Sequence, residues 1–334
     1  MTDSRAGSAD TVAIIGFGAI GCGWAVKFAS AGYKVRVFDA SADARSSGLR
    51  RAAAALEQLS AIRPAESAFS AIEQITVVND LAEAVANARL VQENILEDRS
   101  AKTAVFSEIE AFAPDQAILA SSTSEIPGSE IFSVLKRPER ALVGHPLNPP
   151  HLIPIVEIAP SPSTAAETVD AYAAIMRDIG QEVLILKKEV GGFVVNRLQY
   201  ALAAEALRLV REGYCDPEAI DQAMKHGLGL RWATHGPLET MYLNAGGDFA
   251  KFIGQYGPTM RNIVNSLHPT WDLPDDLIER LNAYGKRRFP KGTVIANEER
   301  FEILIRLRDH LEGALAGPTV AETRAASRGT EHAR

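Results

Sequence analysis

A histidine and a glutamate that could act together in proton transfer lie in one proline-rich stretch, Ala141–Ile158. His145 follows an apolar run and precedes a proline, which disfavours helical geometry, so we predict an extended backbone there. Glu157 lies inside a second apolar run, where a carboxylate is costly unless it has a partner. A histidine is a suitable partner, because a carboxylate can orient the imidazole and stabilise its protonated form. The stretch therefore predicts an acid–base pair.

The same two residues have a simpler interpretation, which the stretch alone leaves open. Many histidines near strand ends are structural residues at the rim of a core and take no part in chemistry. Short motifs also produce false matches, so the remainder of the chain has to decide between the two interpretations.

A glycine-rich turn near the amino terminus has the residue types that bind a dinucleotide. Its first glycine makes a tight turn, its second lets the backbone approach a pyrophosphate, and its third lets helix pack on strand. The helix that follows offers N–H groups and a partial positive charge to the phosphates. The predicted binding residues of this turn are Gly16, Gly18, Ala19, Ile20 and Gly21.

An aspartate at the end of the next predicted strand completes the dinucleotide pattern. Asp39 lies 23 residues after Gly16, close to the position where an acidic residue holds the ribose hydroxyls. A carboxylate there repels the extra phosphate of NADP, and no arginine immediately follows it. We therefore predict that the cofactor is NAD.

The elements that position these residues form an α/β pattern in the first part of the chain. Short apolar runs alternate with helical stretches, which is typical of a Rossmann-type, mostly parallel sheet. A run of hydroxyl residues, Ser121–Ser124, follows one of the strands and could be either a simple loop or part of a ligand site. The predicted strands are residues 11–15, 34–38, 74–78, 89–92, 117–120, 141–144, 155–158 and 182–186.

After Gly191 the pattern changes, and only helical periodicity follows. We predict an NAD-binding domain at residues 1–191, a helical substrate and dimerisation domain at 192–316, and a flexible tail at 317–334. The first helix of the second domain has Asn196 in its first turn. The predicted helices of this domain are residues 193–211, 217–226, 237–252, 274–284 and 297–315.

The composition is that of an ordinary globular protein and argues against several classes of partner. The chain has 334 residues, 46% hydrophobic and 23% charged, enough for two domains of about 150 residues. A net charge of −7 argues against a nucleic-acid-binding surface. The sequence has no run of about 18 apolar residues, so we predict no membrane span. Two cysteines, Cys22 and Cys215, predict neither a disulfide framework nor a metal site. The polar first ten residues do not resemble a signal peptide, so we expect a cytoplasmic protein.

Four motifs in the same order resemble the 3-hydroxyacyl-CoA dehydrogenase family. They are GFGAIG, ASSTS, H-x-x-N-P followed by VE, and GFVVNR, and the resemblance spans about residues 10–315. It implies an NAD-dependent enzyme that oxidises a secondary alcohol and forms a homodimer. Within the family, GHPLNPPHLIPIVEI, NRLQYAL and GLGLRWATHGPLETMYLN are most similar to L-gulonate 3-dehydrogenases, which include lambda-crystallin.

The resemblance leaves more than one activity open. It implies oxidation of the 3-hydroxyl of a small hydroxy acid, with L-gulonate as the expected substrate. Carnitine dehydrogenases share much of the same sequence, and a 3-hydroxyacyl-CoA is a further alternative. A catalytically silent, crystallin-like structural protein is the alternative outside enzymes, although the complete set of motif residues argues against it.

The resemblance also implies roles for individual residues. His145 matches a general base and Glu157 the carboxylate that orients it. Ser124 and Asn196 match groups that hydrogen-bond to the reacting oxygen and its neighbourhood. Three further residues match positions next to the cofactor, although the spacing of the first two alone would suggest a surface pair: Glu97, Lys102 and Asn148.

A positively charged residue in the second domain is the candidate for substrate recognition. Arg231 follows Gly227–Leu230, a loop-like helix end, and the acyl-CoA enzymes are shorter here. A guanidinium fork suits a carboxylate, so we predict that Arg231 binds the acid group of the substrate. Alternatively, Arg231 could be a structural residue that donates to carbonyl groups at the helix end.

Overall fold

The protein was analysed as a computed structural model, and the structure describes residues 10–60, 68–268, 271 and 273–316. The chain divides into two compact units, which are described separately below. Unit 1 comprises Met1–Val194 together with Asn297–Arg334, and unit 2 comprises Val195–Ala296. The predicted flexible tail at 317–334 lies outside the described residues.

Unit 1 contains one eight-stranded sheet with the order β3-β2-β1-β4-β5-β6-β7-β8. Neighbouring strands are parallel except for β7, which runs antiparallel to β6. The first six strands have the order of dinucleotide-binding folds, so the predicted Rossmann-type sheet is confirmed. The strands are β1 (Thr11–Ile15), β2 (Lys34–Phe38), β3 (Ile75–Val77), β4 (Leu90–Glu93), β5 (Ile118–Ser121), β6 (Ala141–Pro146), β7 (Ile155–Pro160) and β8 (Glu182–Ile185).

Helices cover both faces of this sheet, and the alternation of side chains along each strand supplies both cores. In β1, Val12 and Ile14 pack in one hydrophobic cluster with α1, α2, α3 and α7, while Ala13 and Ile15 pack in another with α4, α5 and α6. Burial on both faces explains why these strands read as continuous apolar runs. The helices are α1 (Ala19–Ser30), α2 (Ala42–Ser60), α3 (Ala68–Glu73), α4 (Leu81–Val85), α5 (Arg99–Phe112), α6 (Gly128–Ile131) and α7 (Ala166–Asp178).

In the described part of unit 2, all the regular secondary structure is helical, as predicted. Its first helix, α8, begins at the end of unit 1, and its last, α14, returns to unit 1 from Asn297 onward. Arg280 donates to the carbonyl of Val210 at 3.0 Å, which connects the helices that carry them. The helices are α8 (Phe193–Arg211), α9 (Pro217–Ala223), α10 (Gly229–Trp232), α11 (Pro237–Asn244), α12 (Phe249–Ser266), α13 (Asp275–Arg288) and α14 (Thr293–Ala316), with a π-helical turn at Met224–Leu228.

The prediction of a single helix at residues 237–252 is wrong, because the chain leaves the helical conformation between α11 and α12. Gly246 and Gly247 have φ angles of 67° and 91°, a left-handed conformation that glycine adopts readily. Asp248 then caps α12 by accepting the N–H of Lys251 at 3.1 Å.

Among the described residues, no helix has the length and apolarity needed to cross a membrane.

Candidate active site

The glycine turn has the backbone geometry that its sequence predicts. Gly16 has a φ angle of 91°, and a side chain at Gly21 would lie 1.9 Å from the carbonyl oxygen of Gly16. A side chain added at Gly18 would meet nothing within 4 Å, so a ligand can approach the backbone there closely. Ala19 and Ile20 then begin α1. The turn is therefore shaped as a cradle for a phosphate group at a helix N-terminus.

Asp39 is held at the carboxyl end of β2 by backbone groups on both sides. Its Oδ2 accepts the N–H of Phe17 at 2.7 Å, and its Oδ1 accepts the N–H of Ser41 at 2.8 Å. Two arginines of α2 support this turn, since Arg51 donates to the carbonyl of Phe17 and Arg45 to that of Asp39. The sequence gives no signal for either arginine, because neither belongs to a motif. The glycine turn and Asp39 together fit a dinucleotide.

Lys102 is buried between two carboxylates at the carboxyl end of β4. Its ammonium lies 2.8 Å from Oε1 of Glu93 and 3.4 Å from Oε2 of Glu97, and it donates to the carbonyl of Ile95. Burial raises the pKa of Glu93, an increase opposed by Lys102 and by the hydroxyl of Ser121. Only 1% of the lysine side chain is exposed, so the surface pair that the spacing alone would suggest is wrong. Asp98 caps the start of α5 by accepting the N–H of Ala101 at 2.8 Å, and Lys102 lies in the first turn of this helix.

Glu97 holds the loop that carries Ser124. Its Oε1 accepts the hydroxyl of Thr123 at 2.6 Å and the N–H groups of Ser124 and Glu125 at 2.8 and 3.0 Å. Burial raises the pKa of Glu97, but these hydrogen bonds and the charge of Lys102 outweigh burial, so its pKa is lowered. The loop backbone is therefore fixed by an ionised carboxylate, while Ser124 itself is exposed.

His145 and Glu157 form a buried hydrogen-bonded pair. They are direct partners in the antiparallel pairing of β6 and β7, which places their side chains next to each other. Nδ1 of the histidine lies 2.8 Å from Oε2 of the glutamate, and the other carboxylate oxygen accepts the N–H of Val194 at 2.8 Å. An ionised carboxylate only accepts hydrogen bonds, so the neutral imidazole that fits this contact has its hydrogen on Nδ1 and its lone pair on Nε2. The structure thus brings the two predicted residues together as a buried, hydrogen-bonded pair.

A turn at residues 190–194 places an aromatic ring against this histidine. Gly192 and Phe193 have φ angles of 71° and 47°, and the left-handed region costs a non-glycine residue about 1–2 kcal/mol. The Phe193 ring is fully buried, with its centroid 5.4 Å from that of the imidazole. The N–H of Gly192 donates to the carbonyl of Glu125 at 3.2 Å, which connects the turn to the Ser124 loop.

A network of buried polar side chains, which sequence analysis missed, lies beside the same strand ends. Gln92 donates to the hydroxyl of Ser122 at 2.8 Å and to the carbonyl of Gly144, the residue before the histidine, at 3.3 Å. Tyr172 donates to Gln92 at 2.8 Å, and Trp24 donates to Ser122 at 3.1 Å. The network connects β4, β5 and β6 to helices on one face of the sheet. In the sequence, the sign of this network is Gln92, a polar residue within an apolar run.

The proline-rich connection between β6 and β7 packs against α1. The peptide bond after Asn148 is cis, and Asn148 is exposed. A side chain at Gly23 of α1 would lie 2.7 Å from Cδ of Pro150, so the close approach requires glycine. Burial, together with the charge of Lys27, lowers the pKa of His151 to about 4, so this second histidine is neutral at pH 7.

The two predicted site residues of unit 2 both lie on helices. Asn196 is partly buried in the first turn of α8, where the sequence places it. Arg231 is exposed in the short helix α10. Within the described part of the chain, no group accepts a hydrogen bond from its guanidinium, so its capping of a helix end receives no support.

The prediction that Arg231 lies on a loop-like connection is wrong. The chain remains helical through the π-helical turn at Met224–Leu228 and on into α10. Gly229 has a helical φ of −62°, and a side chain there would lie 2.7 Å from the carbonyl oxygen of Met224. This glycine therefore permits a close backbone contact inside a helix, whereas its sequence pattern resembles a helix end.

Comparison with known families identifies the family to which this fold belongs. The NAD-binding domain of 3-hydroxyacyl-CoA dehydrogenases matches residues 11–190, and their C-terminal domain matches residues 192–271. The chain belongs to the 3-hydroxyacyl-CoA dehydrogenase family. This member of the family is an NAD-dependent oxidoreductase, and the glycine turn, Asp39 and the histidine–glutamate pair all lie in its NAD-binding domain.

Individual relatives of this family member carry different names. The lambda-crystallin homolog of Rattus norvegicus is 38% identical over 278 residues, covering 82% of this chain and 87% of that protein. The L-carnitine dehydrogenase of Nocardiopsis dassonvillei is 40% identical over 253 residues, covering 75% and 76%. A solved structure of 5-formyl-3-hydroxy-2-methylpyridine 4-carboxylic acid 5-dehydrogenase superposes with a TM-score of 0.77 at 30% identity, covering 91% and 99%.

Proposed function

We propose that this family member oxidises the 3-hydroxyl group of a small hydroxy acid, with L-gulonate as substrate and 3-dehydro-L-gulonate as product. The buried His145–Glu157 pair carries the proposal, because it supplies a base whose second ring nitrogen is not used by the pair. The resemblance to L-gulonate 3-dehydrogenases in the sequence supports the choice of acid. The similarity to lambda-crystallin homologs is consistent with it.

In the proposed mechanism, the chain removes a proton from the hydroxyl group while carbon 3 is oxidised. Nε2 of neutral His145 accepts that proton, and Glu157 stabilises the imidazolium that forms. Ser124 and Asn196 donate hydrogen bonds to the reacting oxygen, which holds it in line with the base. Bound NAD supplies the hydride acceptor at its nicotinamide ring.

For the cofactor, we propose that the glycine turn holds the pyrophosphate and Asp39 holds the adenosine ribose. The open approach to Gly18 and the fixed carboxylate of Asp39 support these roles. The buried lysine and its neighbours keep the cofactor edge of the sheet in place. The residues that we assign to the cofactor are Gly16, Gly18, Ala19, Ile20, Gly21, Asp39, Glu97, Lys102 and Asn148.

For the substrate, we propose that Arg231 binds the carboxylate. An exposed guanidinium is available for bidentate contacts with an acid group. Two relatives are named for small acids, L-carnitine and a pyridine carboxylic acid, which supports an acid without coenzyme A. Arg231→Met should lower kcat/KM for L-gulonate by about a hundredfold, or roughly 2.7 kcal/mol, with an unchanged Tm. A lower Tm with normal turnover would show a structural role.

L-Carnitine is the second candidate substrate, favoured by the 40% identity to an L-carnitine dehydrogenase. Its trimethylammonium group needs an aromatic surface, whereas L-gulonate presents hydroxyl groups. Absorbance of NADH, measured with L-gulonate, L-carnitine and 3-hydroxybutyryl-CoA, separates the candidates. We expect the highest kcat/KM for L-gulonate. A higher value for either competitor would make that compound the proposed substrate, and no turnover of any of the three would refute the proposed substrate class.

We also propose a homodimer formed through unit 2. Its helices expose large apolar side chains, among them Leu198, Tyr200, Ile253, Ile263 and Val264. Extended apolar surface of this kind marks protein interfaces, and a second copy of the chain is the partner that the family resemblance implies. Sedimentation at micromolar concentration should give the mass of two chains, and a monomer would contradict the proposal.

A further inference from the structure

We propose that Phe193 is a positioning residue for the His145–Glu157 pair, and that its ring keeps the imidazole aligned with the carboxylate. The inference rests on the proposed role of this pair in hydroxyl oxidation. Phe193 itself is assigned no contact with substrate or cofactor, so its effect acts through the histidine.

The backbone at this position indicates that the ring has a role of its own. Phe193 has a φ of 47°, a conformation in which glycine is unstrained and phenylalanine is not. Two glycines precede it in the same turn, so the chain already uses glycine here. A strained position that nevertheless holds a large, fully buried aromatic side chain suggests a function for that side chain.

The contacts of the turn support this function. The ring packs on the imidazole at 5.4 Å between centroids, with 38° between the two planes. The next residue, Val194, donates its N–H to Oε1 of Glu157 at 2.8 Å. The N–H of Gly192 reaches the carbonyl of Glu125, beside Ser124, at 3.2 Å. One short segment therefore contacts both members of the pair and the loop that carries the proposed oxygen-binding serine.

Packing on one face of the imidazole restrains a motion of the ring that its hydrogen bond to Glu157 leaves free. The bond between Nδ1 and the carboxylate restrains one edge of the imidazole, but the ring can still tilt about that bond. A tightly packed aromatic neighbour restricts the tilt and keeps water from that face. The direction of Nε2 is then fixed before a substrate arrives, which is the condition for efficient proton transfer.

The test compares Phe193→Leu and Phe193→Gly with a matched control, Phe106→Leu. Phe106 is fully buried in the same hydrophobic cluster and packs on Phe132 at 5.0 Å between centroids. Leucine at position 193 keeps the backbone strain and most of the apolar volume but loses the flat ring. Glycine removes both the strain and the ring. We would measure kcat and KM for L-gulonate, NAD⁺ affinity, Tm and the solvent deuterium isotope effect on kcat.

We expect both Phe193 variants to lower kcat by about tenfold, with KM and NAD⁺ affinity within about twofold of the unmodified protein. The solvent isotope effect should rise, because proton transfer from the hydroxyl becomes slower. Phe106→Leu should lower Tm by about as much as Phe193→Leu does, but it should leave kcat unchanged. Because leucine retains apolar volume, Phe193→Leu tests the proposal even where the glycine variant does not fold.

Two results would overturn the proposal. Either Phe193→Leu matches Phe106→Leu in kcat, or a folded Phe193→Gly retains full kcat, which would show that the turn is sufficient without the ring. His145→Gln in the same assay separates this failure from failure of the proposed function. If His145→Gln turns over normally, the proposed function fails. If it is inactive while Phe193→Leu is normal, only the role of Phe193 is lost.

Discussion

Two buried side-chain contacts in unit 1 have the same length, but their nitrogen partners differ in whether they suit proton transfer. Lys102 and His145 each lie 2.8 Å from a fully buried glutamate. The lysine ammonium donates hydrogen bonds to Glu93 and to the carbonyl of Ile95, and it forms an ion pair with Glu97. The histidine uses Nδ1 in its pair, and its second ring nitrogen, Nε2, takes no part in that contact. The lysine, held on three sides, supports the fold, whereas the histidine has a second ring nitrogen with which we propose that it exchanges a proton.

The two glutamates differ less than their two side-chain partners, a lysine and a histidine. Glu93 accepts the N–H of Ile95 at 2.7 Å, and Glu157 accepts the N–H of Val194 at 2.8 Å. Each buried carboxylate is therefore held by a backbone group as well as by its side-chain partner, which lowers the cost of burying it. The difference between structural support and the proposed chemistry thus depends on whether the partner of the glutamate is a lysine or a histidine.

The largest expected effect concerns the contact of His145 with Glu157. His145→Gln removes the base but keeps a polar side chain of similar size, so kcat/KM for L-gulonate should fall by about a thousandfold. NAD⁺ affinity and Tm should change little, because the lost group serves the reaction. Steady-state NADH formation and thermal melting measure both quantities. If His145→Gln keeps an activity within tenfold of the unmodified protein, His145 is not the base, and its contact with Glu157 is structural like that of Lys102 with Glu93.

The next effect concerns the contact of Lys102 with Glu93 and should appear in stability. Lys102→Met leaves Glu93 buried without its cation, which should lower the free energy of unfolding by about 3 kcal/mol. Lys34→Met is the matched control, because Lys34 is an exposed lysine of β2. Denaturant titration measures both variants. Equal stability of the two would mean that the buried lysine does not support the sheet edge.

The smallest effect is the pH dependence of the Ser124 loop. The lowered pKa of Glu97 means that its ionised form stabilises the folded state. That contribution is complete above the ordinary value near 4.5 and is lost as the pH falls through the lowered pKa. The Tm difference between the unmodified protein and Glu97→Gln should be largest near pH 7 and shrink below about pH 4.5. A difference that is constant with pH would refute this sign.

The sequence predicts those parts of the site that depend on spacing along strands and turns. Strand periodicity and the glycine turn are local patterns, so the parallel sheet and the position of Asp39 follow from them. The pairing of His145 with Glu157 is also accessible, because two short strands joined by a proline-rich connection bring them together as neighbours. The proposed chemistry of the pair therefore starts from sequence pattern alone.

The parts that sequence analysis misses depend on backbone geometry or distant contacts. The glycines before Arg231 look like a helix end, but Gly229 instead allows a close contact inside a continuing helix. The left-handed conformation of Phe193 is invisible in a sequence that offers glycine next to it. The network of Gln92 and Tyr172 joins residues 80 positions apart, a contact that only tertiary packing creates.

The most direct test of the account is a double-mutant cycle on the histidine–glutamate pair. It compares kcat/KM for L-gulonate oxidation in the unmodified protein, His145→Gln, Glu157→Gln and the double variant, with Tm measured for each. Because Glu157 acts through His145, the double variant should be hardly slower than His145→Gln alone. If the two losses instead multiply in the double variant, the residues act independently, and the acid–base pair at the centre of this account is contradicted.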